Sequence, residues 1–263
     1  MASEFLDAAT HIASEAGEML VSMLSETREA KGISTKRNPT DLVTRADKAV
    51  EDLVVRYFRQ RFPEHGILAE EGSLHEGKEY RWIIDPLDGT TNFAHGVPLF
   101  AISIGLERRG ELVAGVVLHP PMGEMFMAER GRGAFLQRGG TRQRLHVSDV
   151  TSVDKSVVAT GLPYDIVENG TNVLQIGRLC RKAREVRILG AAALHLAYVA
   201  AGRLEGFWEQ NLNPWDIAAG ALLVQEAGGQ ISRLDGQPFA VDCRHVLATN
   251  GGIHGEMLAL LTS

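Results

Sequence analysis

The segment Trp82–Phe93, WIIDPLDGTTNF, carries the densest concentration of chemical groups in the chain. An apolar run ends in Asp85, Pro86 fixes the backbone, and Asp88 follows three residues on, where Gly89 permits a tight turn. Two carboxylates brought together repel and raise each other's pKa unless cations lie between them. Oxygen-rich clusters of this type suit Mg²⁺ or another hard divalent ion. Gly89, Thr90 and Thr91 then offer successive backbone N–H groups and two hydroxyls, a nest suited to phosphate if a helix starts there. Acids beside an anion cradle imply a metal-bridged phosphate. An Asp-Gly turn with a threonine helix cap is the purely structural alternative.

Positioning these groups requires defined elements. Ile67-Leu68 and Trp82–Ile84 are short strand-like runs, each leading into acidic residues, which places the carboxylates at one sheet edge. Upstream, Phe5, Ala8, Ala9, Ile12, Ala16, Met19, Leu20 and Met23 recur at helical spacing and predict an opening amphipathic helix that ends near Gly32. Lys31 to Asp41, with Gly32 and Pro39, reads as an irregular loop or short hairpin that could move, and a second helix spans about Arg45 to Phe62. Val97–Leu106, Leu112–Leu118 and Glu124–Ala128 read as consecutive antiparallel strands with turns at Arg109-Gly110 and Pro120–Gly123.

The polar, Gly-rich segment Gly131–Asp149 reads as the boundary between two halves, 1–150 and 151–263. Beyond it strands and helices alternate: strands at Ser156–Thr160, Glu185–Leu189, Gly206–Glu209, Gln230–Ser232 and Val246–Asn250, helices at Thr171–Lys182, Ala191–Ala201, Pro214–Ala227 and Ile253–Leu261. This pattern predicts an α/β (α+β) fold of sheet layers covered by helices, in the order αβαβα.

Composition narrows the function classes. Against 27 Lys plus Arg stand 33 Asp plus Glu, a formal charge of −6, which excludes a generally basic nucleic-acid binder. Hydrophobic residues at 44% supply a sizeable core. The N-terminal stretch fits neither a secretory signal nor a transit peptide, and the longest mostly apolar stretch, Ala191–Ala201, is broken by His195 and too short to span a bilayer. Cys180 and Cys243 show no CxxC spacing, so the expected compartment is a reducing cytoplasm, with no membrane association.

DPLDGTTNF, with LAEEG (Leu68–Gly72) upstream and NPWDIAAGALLVQEAGG (Asn213–Gly229) downstream, resembles the inositol monophosphatase family of Mg²⁺-dependent, lithium-sensitive sugar phosphatases. The resemblance covers nearly the whole chain in the same order, and implies the sugar phosphatase type of αβαβα sandwich and a homodimer. It implies that Glu70, Asp85, Asp88 and Asp216, with the carbonyl of Leu87, hold two or three Mg²⁺ ions, Glu70 also helping to position an attacking water. Thr90 matches the hydroxyl that orients and deprotonates that water, Asp47 the carboxylate that accepts from it, and Gly89 and Thr91 the amides that hold phosphate.

On the substrate side the same resemblance implies that Glu209 bonds a sugar or cyclitol hydroxyl and that Gly190 and Ala192 line the site. Ala191 stands where relatives often carry Ser or Thr. Lys36 resembles a loop residue that closes over the metals, and Gly161–Asp165 resembles a substrate-side loop or is a Pro-containing surface turn.

Read by themselves, several of these residues have structural explanations. Asp216 falls at N3 of a helix with Asn213 as N-cap and Pro214 at N1, and capping alone would account for it. Glu70-Glu71 alone is a solvated pair. The run Arg178, Arg181, Lys182, Arg184 and Arg187 reads as a charged helix face, or as an attractor of an anionic substrate or partner. His65, His95 and His195 show no metal-ligand spacing.

The expected reaction is hydrolysis of a small polyol phosphate monoester, first of all myo-inositol 1-phosphate, by direct attack of a metal-activated water without a phospho-enzyme. Fructose 1,6-bisphosphate, histidinol phosphate and a 3′(2′),5′-bisphosphate nucleotide are the rival substrates. A regulatory binding protein with incidental activity is the rival class. The expected partner is a small phosphorylated polyol, with no nucleic acid.

Overall fold

A computed structural model describes residues 3–27, 29–36, 42–162, 170 and 172–262. The first helix, α1 (Glu4–Leu24), starts at Ser3, whose hydroxyl accepts from Leu6 N at 3.3 Å, and buries Leu6, Ala9, Ile12, Ala16 and Leu20. It stops at Leu24 rather than near Gly32. Beyond it Thr27 Oγ1 accepts from Ala30 N at 3.2 Å and Thr27 O from Lys31 N at 3.0 Å, so a separate turn follows the helix.

Two short strands follow, β1 (Ser34–Thr35) and β2 (Leu42–Val43), paired antiparallel as a hairpin, with residues 37–41 outside the described ones. Helix α2 (Arg45–Arg61) opens with a capping box between Thr44 and Asp47.

Eight strands form the first sheet, in the order β10-β9-β8-β7-β6-β5-β3-β4. Toward one edge of it lie β3 (Gly66–Ala69) and β5 (Tyr80–Asp88), parallel with Ala69 opposite Ile84, so that Glu70 just past β3 and Asp85 in β5 stand side by side. On the β3 side lies β4 (Leu74–His75); on the other, β6 (Ala101–Arg108), β7 (Glu111–His119) and β8 (Glu124–Glu129) form an antiparallel meander. Strand β6 begins at Ala101, not Val97. The preceding carbonyls are taken by side chains, Pro98 O by His119 Nε2 at 3.0 Å and Leu99 O by Asn92 Nδ2 at 2.7 Å.

The segment 131–149 contains β9 (Gly133–Arg138) and β10 (Thr141–Arg144), which extend this sheet as a hairpin. Gly139 and Gly140 have φ of 55° and 80°, so the glycines that read as a boundary form a two-residue hairpin turn.

The second sheet, in the order β12-β11-β13-β15-β14, comprises β11 (Val157–Thr160), β12 (Glu185–Arg187), β13 (Gly206–Gln210), β14 (Gln230–Arg233) and β15 (His245–Thr249). The remaining α-helices among the described residues are α3 (Thr90–Ala94), α4 (Val173–Cys180), α5 (Ala192–Ala200), α6 (Pro214–Glu226) and α7 (His254–Thr262). Residue 171, the expected start of α4, lies outside the described residues.

Three apolar clusters define the layers. Ile12, Leu20, Val50, Phe58, Trp82 and Ile102 join α1 and α2 to one face of the first sheet. Ile83, Val117, Leu196, Leu222, Phe207 and Ala248 join its other face, α5, α6 and the second sheet. Leu179, Trp208, Leu247 and Met257 place α4 and α7 outside the second sheet. The result is the expected αβαβα stack. Helix α6 lies close against the first sheet because Gly105 has no Cβ, which would stand 2.8 Å from that of Ala218. Among the described residues no helix is long and apolar enough to cross a membrane.

Candidate active site

The C-terminal ends of β3 and β5 and the starts of α3, α5 and α6 surround a cavity of about 610 Å³. Its acids come from three separated parts of the chain. Glu70 follows β3 on a turn that Glu51 fixes from below, accepting from Glu71 N at 2.7 Å and Ser73 N at 3.0 Å. Asp85 and Asp88 end β5, where pairing with β6 is irregular between them. Asp85 Oδ1 accepts from Leu87 N at 2.9 Å. Asp88 accepts from the first amides of α5, Ala192 N at 3.0 Å and Ala193 N at 2.7 Å, so a helix start from the second half of the chain holds it. Asp216 sits in the first turn of α6 and accepts from Asn213 N at 2.7 Å. It lines the cavity while closing a capping box, so both roles meet in one carboxylate.

Burial drives the electrostatics. Asp85 is pushed well above the usual carboxylate range by burial and by Glu70, Asp88 and Asp216 around it. Asp216 is raised likewise by burial and Glu70, against the opposing Asn213 bonds. Asp88 is pushed up to about 7 by burial, although the amides of Ala193 and Ala192 pull the other way. Burial raises Glu70, and Lys36 opposes it. Lys36 Nζ donates to Glu70 Oε1 at 3.0 Å and also to Glu71. Burial alone would lower this ammonium, but the two glutamates outweigh it and hold it above its ordinary value.

The donor set fits a hard divalent ion: four crowded carboxylates, with Lys36 and Arg244 the cations among the described lining residues. Among the described residues no three His, Cys, Asp or Glu side chains already converge as a metal cage. Glu70 is engaged by Lys36 and shares a hydrogen bond with Asp85, and Asp216 is engaged by Asn213.

Beside the acids, Thr90 Oγ1 lies 2.9 Å from Asp47 Oδ1 and 3.1 Å from Leu87 O. Asp47 also accepts from Thr44 N at 2.8 Å and Thr44 Oγ1 at 2.6 Å. Burial raises Asp47, and these donors counter it. At the opposite wall Glu209 is pushed well above its ordinary value by burial and by Asp216 and Asp88. A Cβ on Gly161 would stand 2.1 Å from Glu209 Oε1, so only glycine leaves room for this carboxyl.

The structure brings Lys36, Glu70, Asp85, Leu87, Asp88, Gly89, Thr90, Thr91, Gly190, Ala192, Glu209 and Asp216 to the one cavity, with Asp47 behind Thr90. Gly161 and Leu162 join them, whereas 163–165 lie outside the described residues. The basic run Arg178–Arg187 does not line the cavity, and Arg187 pairs with Glu185 at 2.6 Å. Asn92, Trp215, Arg244 and the supporting Glu51 were not legible as site residues. Glu51 had a signal, standing four positions after Asp47 on one face of α2.

The whole chain, residues 1–263, matches the inositol monophosphatase family. The chain belongs to that family. As an inositol monophosphatase family member it is a phosphoric monoester hydrolase acting on phosphorylated polyols. An inositol-1-monophosphatase of Mesorhizobium japonicum is 42% identical over 259 residues, 97% of this chain and 95% of that one. The Nus factor SuhB of Pseudomonas aeruginosa is 43% identical over 252 residues, 93% of this chain and 91% of its own. The crystal structure of the extragenic suppressor protein suhB from Bartonella henselae superposes with a TM-score of 0.93 at 38% identity, covering 99% of each chain.

Proposed function

We propose that the chain is a Mg²⁺-dependent, lithium-sensitive phosphatase whose main substrate is myo-inositol 1-phosphate. The observation that carries this reading is the gathering of Glu70, Asp85, Asp88 and Asp216 around one cavity beside the Thr90–Asp47 pair. Those four acids, with the Leu87 carbonyl, would hold two or three Mg²⁺ ions. Bound there, the ions neutralise charge on acids and ester and lower the pKa of a water.

The chain's own groups do the rest. Asp47, held by two Thr44 donors, takes the Thr90 hydroxyl proton, which leaves a Thr90 lone pair free to accept from the attacking water. Glu70 positions that water. The amides of Gly89 and Thr91 bind phosphate oxygens at the start of α3. Glu209, its pKa raised by burial and by Asp216 and Asp88, bonds a polyol hydroxyl next to Gly190 and Ala192. Lys36 closes the site from the β1–β2 hairpin. Each half, 1–150 and 151–263, supplies part of this constellation, and the protein acts as a homodimer in a reducing cytoplasm, in keeping with its free Cys180 and Cys243.

Relatives named Nus factor SuhB favour a second reading, a regulatory binding role on the same fold. The complete acidic set supports hydrolysis as the primary one. Phosphate release from myo-inositol 1-phosphate, fructose 1,6-bisphosphate, histidinol phosphate and a 3′,5′-bisphosphate nucleotide at matched concentrations tests the assignment. The highest kcat/KM is expected for the inositol ester; preference for another replaces that substrate, and no Mg²⁺-dependent release from any ester overturns the reading.

A further inference from the structure

We propose that His195 and Asn92 form a two-sided clamp on Leu189 that positions the substrate-lining turn Gly190–Ala192, making both positioning residues for the polyol part of the ester. The inference rests on the substrate-side reading above.

Leu189 immediately precedes the segment that closes the substrate side of the cavity. Its backbone is held at both polar atoms. The N–H donates to His195 Nε2 at 3.1 Å, and the carbonyl accepts from Asn92 Nδ2 at 2.7 Å. The second Asn92 hydrogen goes to Leu99 O at 2.7 Å, so this amide spends both donors tying the strand-entry loop before β6 to the loop before α5. A peptide N–H can only donate, so Nε2 must present its lone pair and the imidazole proton must sit on Nδ1. That Nδ1 is buried and finds no partner among the described residues. Burial also holds the ring neutral, its pKa lowered to about 3, so the acceptor persists across ordinary pH.

A merely apolar filler of the α5 core would pack on Phe207 as His195 does, ring centroids 4.9 Å apart, without burying an unpaired donor. The Leu189 bond is what the histidine adds. Asn92 likewise shapes the turn directly: Gly190 has φ of 76°, and a Cβ there would stand 3.0 Å from Asn92 Nδ2. Two residues further on, Ala192 N reaches Asp88 at 3.0 Å, so the clamped segment runs from the polyol wall straight to an acid of the cation cluster.

The test compares His195→Leu, His195→Gln and Asn92→Ala in steady-state hydrolysis of myo-inositol 1-phosphate, with thermal melts alongside. Leucine fills the space without an acceptor, and glutamine carries an oxygen about as far from Cβ as Nε2. KM is expected to rise about tenfold in His195→Leu and in Asn92→Ala, with kcat changed much less, and to return within about twofold of wild type in His195→Gln. Equal KM in leucine and glutamine variants, or unchanged KM in Asn92→Ala, overturns the clamp. If His195→Leu does not fold, Asn92→Ala decides by the same criterion, and a His195→Gln KM more than about twofold above wild type also overturns the clamp. Wild-type protein that releases no phosphate would instead sink the substrate reading, a separate failure.

Discussion

Thr90 and Asp47, 43 positions apart in sequence, meet through an Oγ1–Oδ1 hydrogen bond of 2.9 Å at the floor of the acidic cavity. The hydroxyl has one proton and a second acceptor, Leu87 O, at 3.1 Å. Asp47 is already anchored by Thr44, so it can receive that proton without moving. Thr90→Ala should lower kcat by about 100- to 1000-fold, within the usual range for general acid–base groups, while Thr90→Ser keeps most of it. Calorimetric Mg²⁺ titration should give the same isotherm for all three proteins, because the threonine hydroxyl is not among the proposed cation ligands.

Asp85 is the most crowded acid, with Glu70, Asp88 and Asp216 all raising it. Asp85→Asn keeps an oxygen for the Leu87 amide but removes a charge. Phosphate release should fall by at least about a thousandfold. In metal-free buffer the same variant should melt roughly 2–4 °C higher than wild type, since relief of repulsion worth about 1 kcal/mol moves a chain of this size by that much. A variant that loses activity because it unfolds would melt lower instead.

Asp88 gives the pH dependence its sign. Its folded pKa of about 7 lies above the ordinary carboxylate value, so between those values the folded state holds a proton the unfolded state has lost. Metal-free stability therefore falls as pH rises through this window. Melting temperature in chelator should decline from about pH 4 to about pH 7 and level off above it, and Asp88→Asn should flatten part of that slope. Added Mg²⁺ should raise the melting temperature more at the higher pH, where fewer protons compete for the acids.

Glu51 touches no cavity atom, yet its carboxylate receives the Glu71 and Ser73 amides and thereby sets the turn carrying Glu70. Glu51→Ala leaves both amides without this acceptor. A loss of about 2 kcal/mol, or roughly 4–8 °C in melting temperature, is expected, together with weaker Mg²⁺ binding. Unchanged Mg²⁺ affinity would show that Glu70 keeps its place without this support.

The parts of the site that could be read from sequence are those whose signals are local. Strand runs ending in Asp85 and in Glu70 gave the sheet edge, and Asn213, Pro214 and Asp216 marked the start of α6. The opening helix was placed but not its end, because the Ser25 N–H turns back to Met23 O and the Thr27 hydroxyl accepts from Ala30 N, bonds that periodicity does not register. Gly139-Gly140 has the composition of a linker and the φ angles of a hairpin turn. Asn92 and His195 act on Leu189, contacts that exist only once α3 and α5 face each other, and Arg244 reaches the cavity from the start of β15 with no motif around it.

Phosphate release from myo-inositol 1-phosphate, followed while Mg²⁺ is titrated into chelator-treated protein, tests the central claim most directly. No release without the ion, a saturable rise as it is added, and loss of that rise in Asp85→Asn and Asp216→Asn are predicted. A rate that is the same in chelator and in Mg²⁺, or that survives removal of these carboxylates, would contradict it.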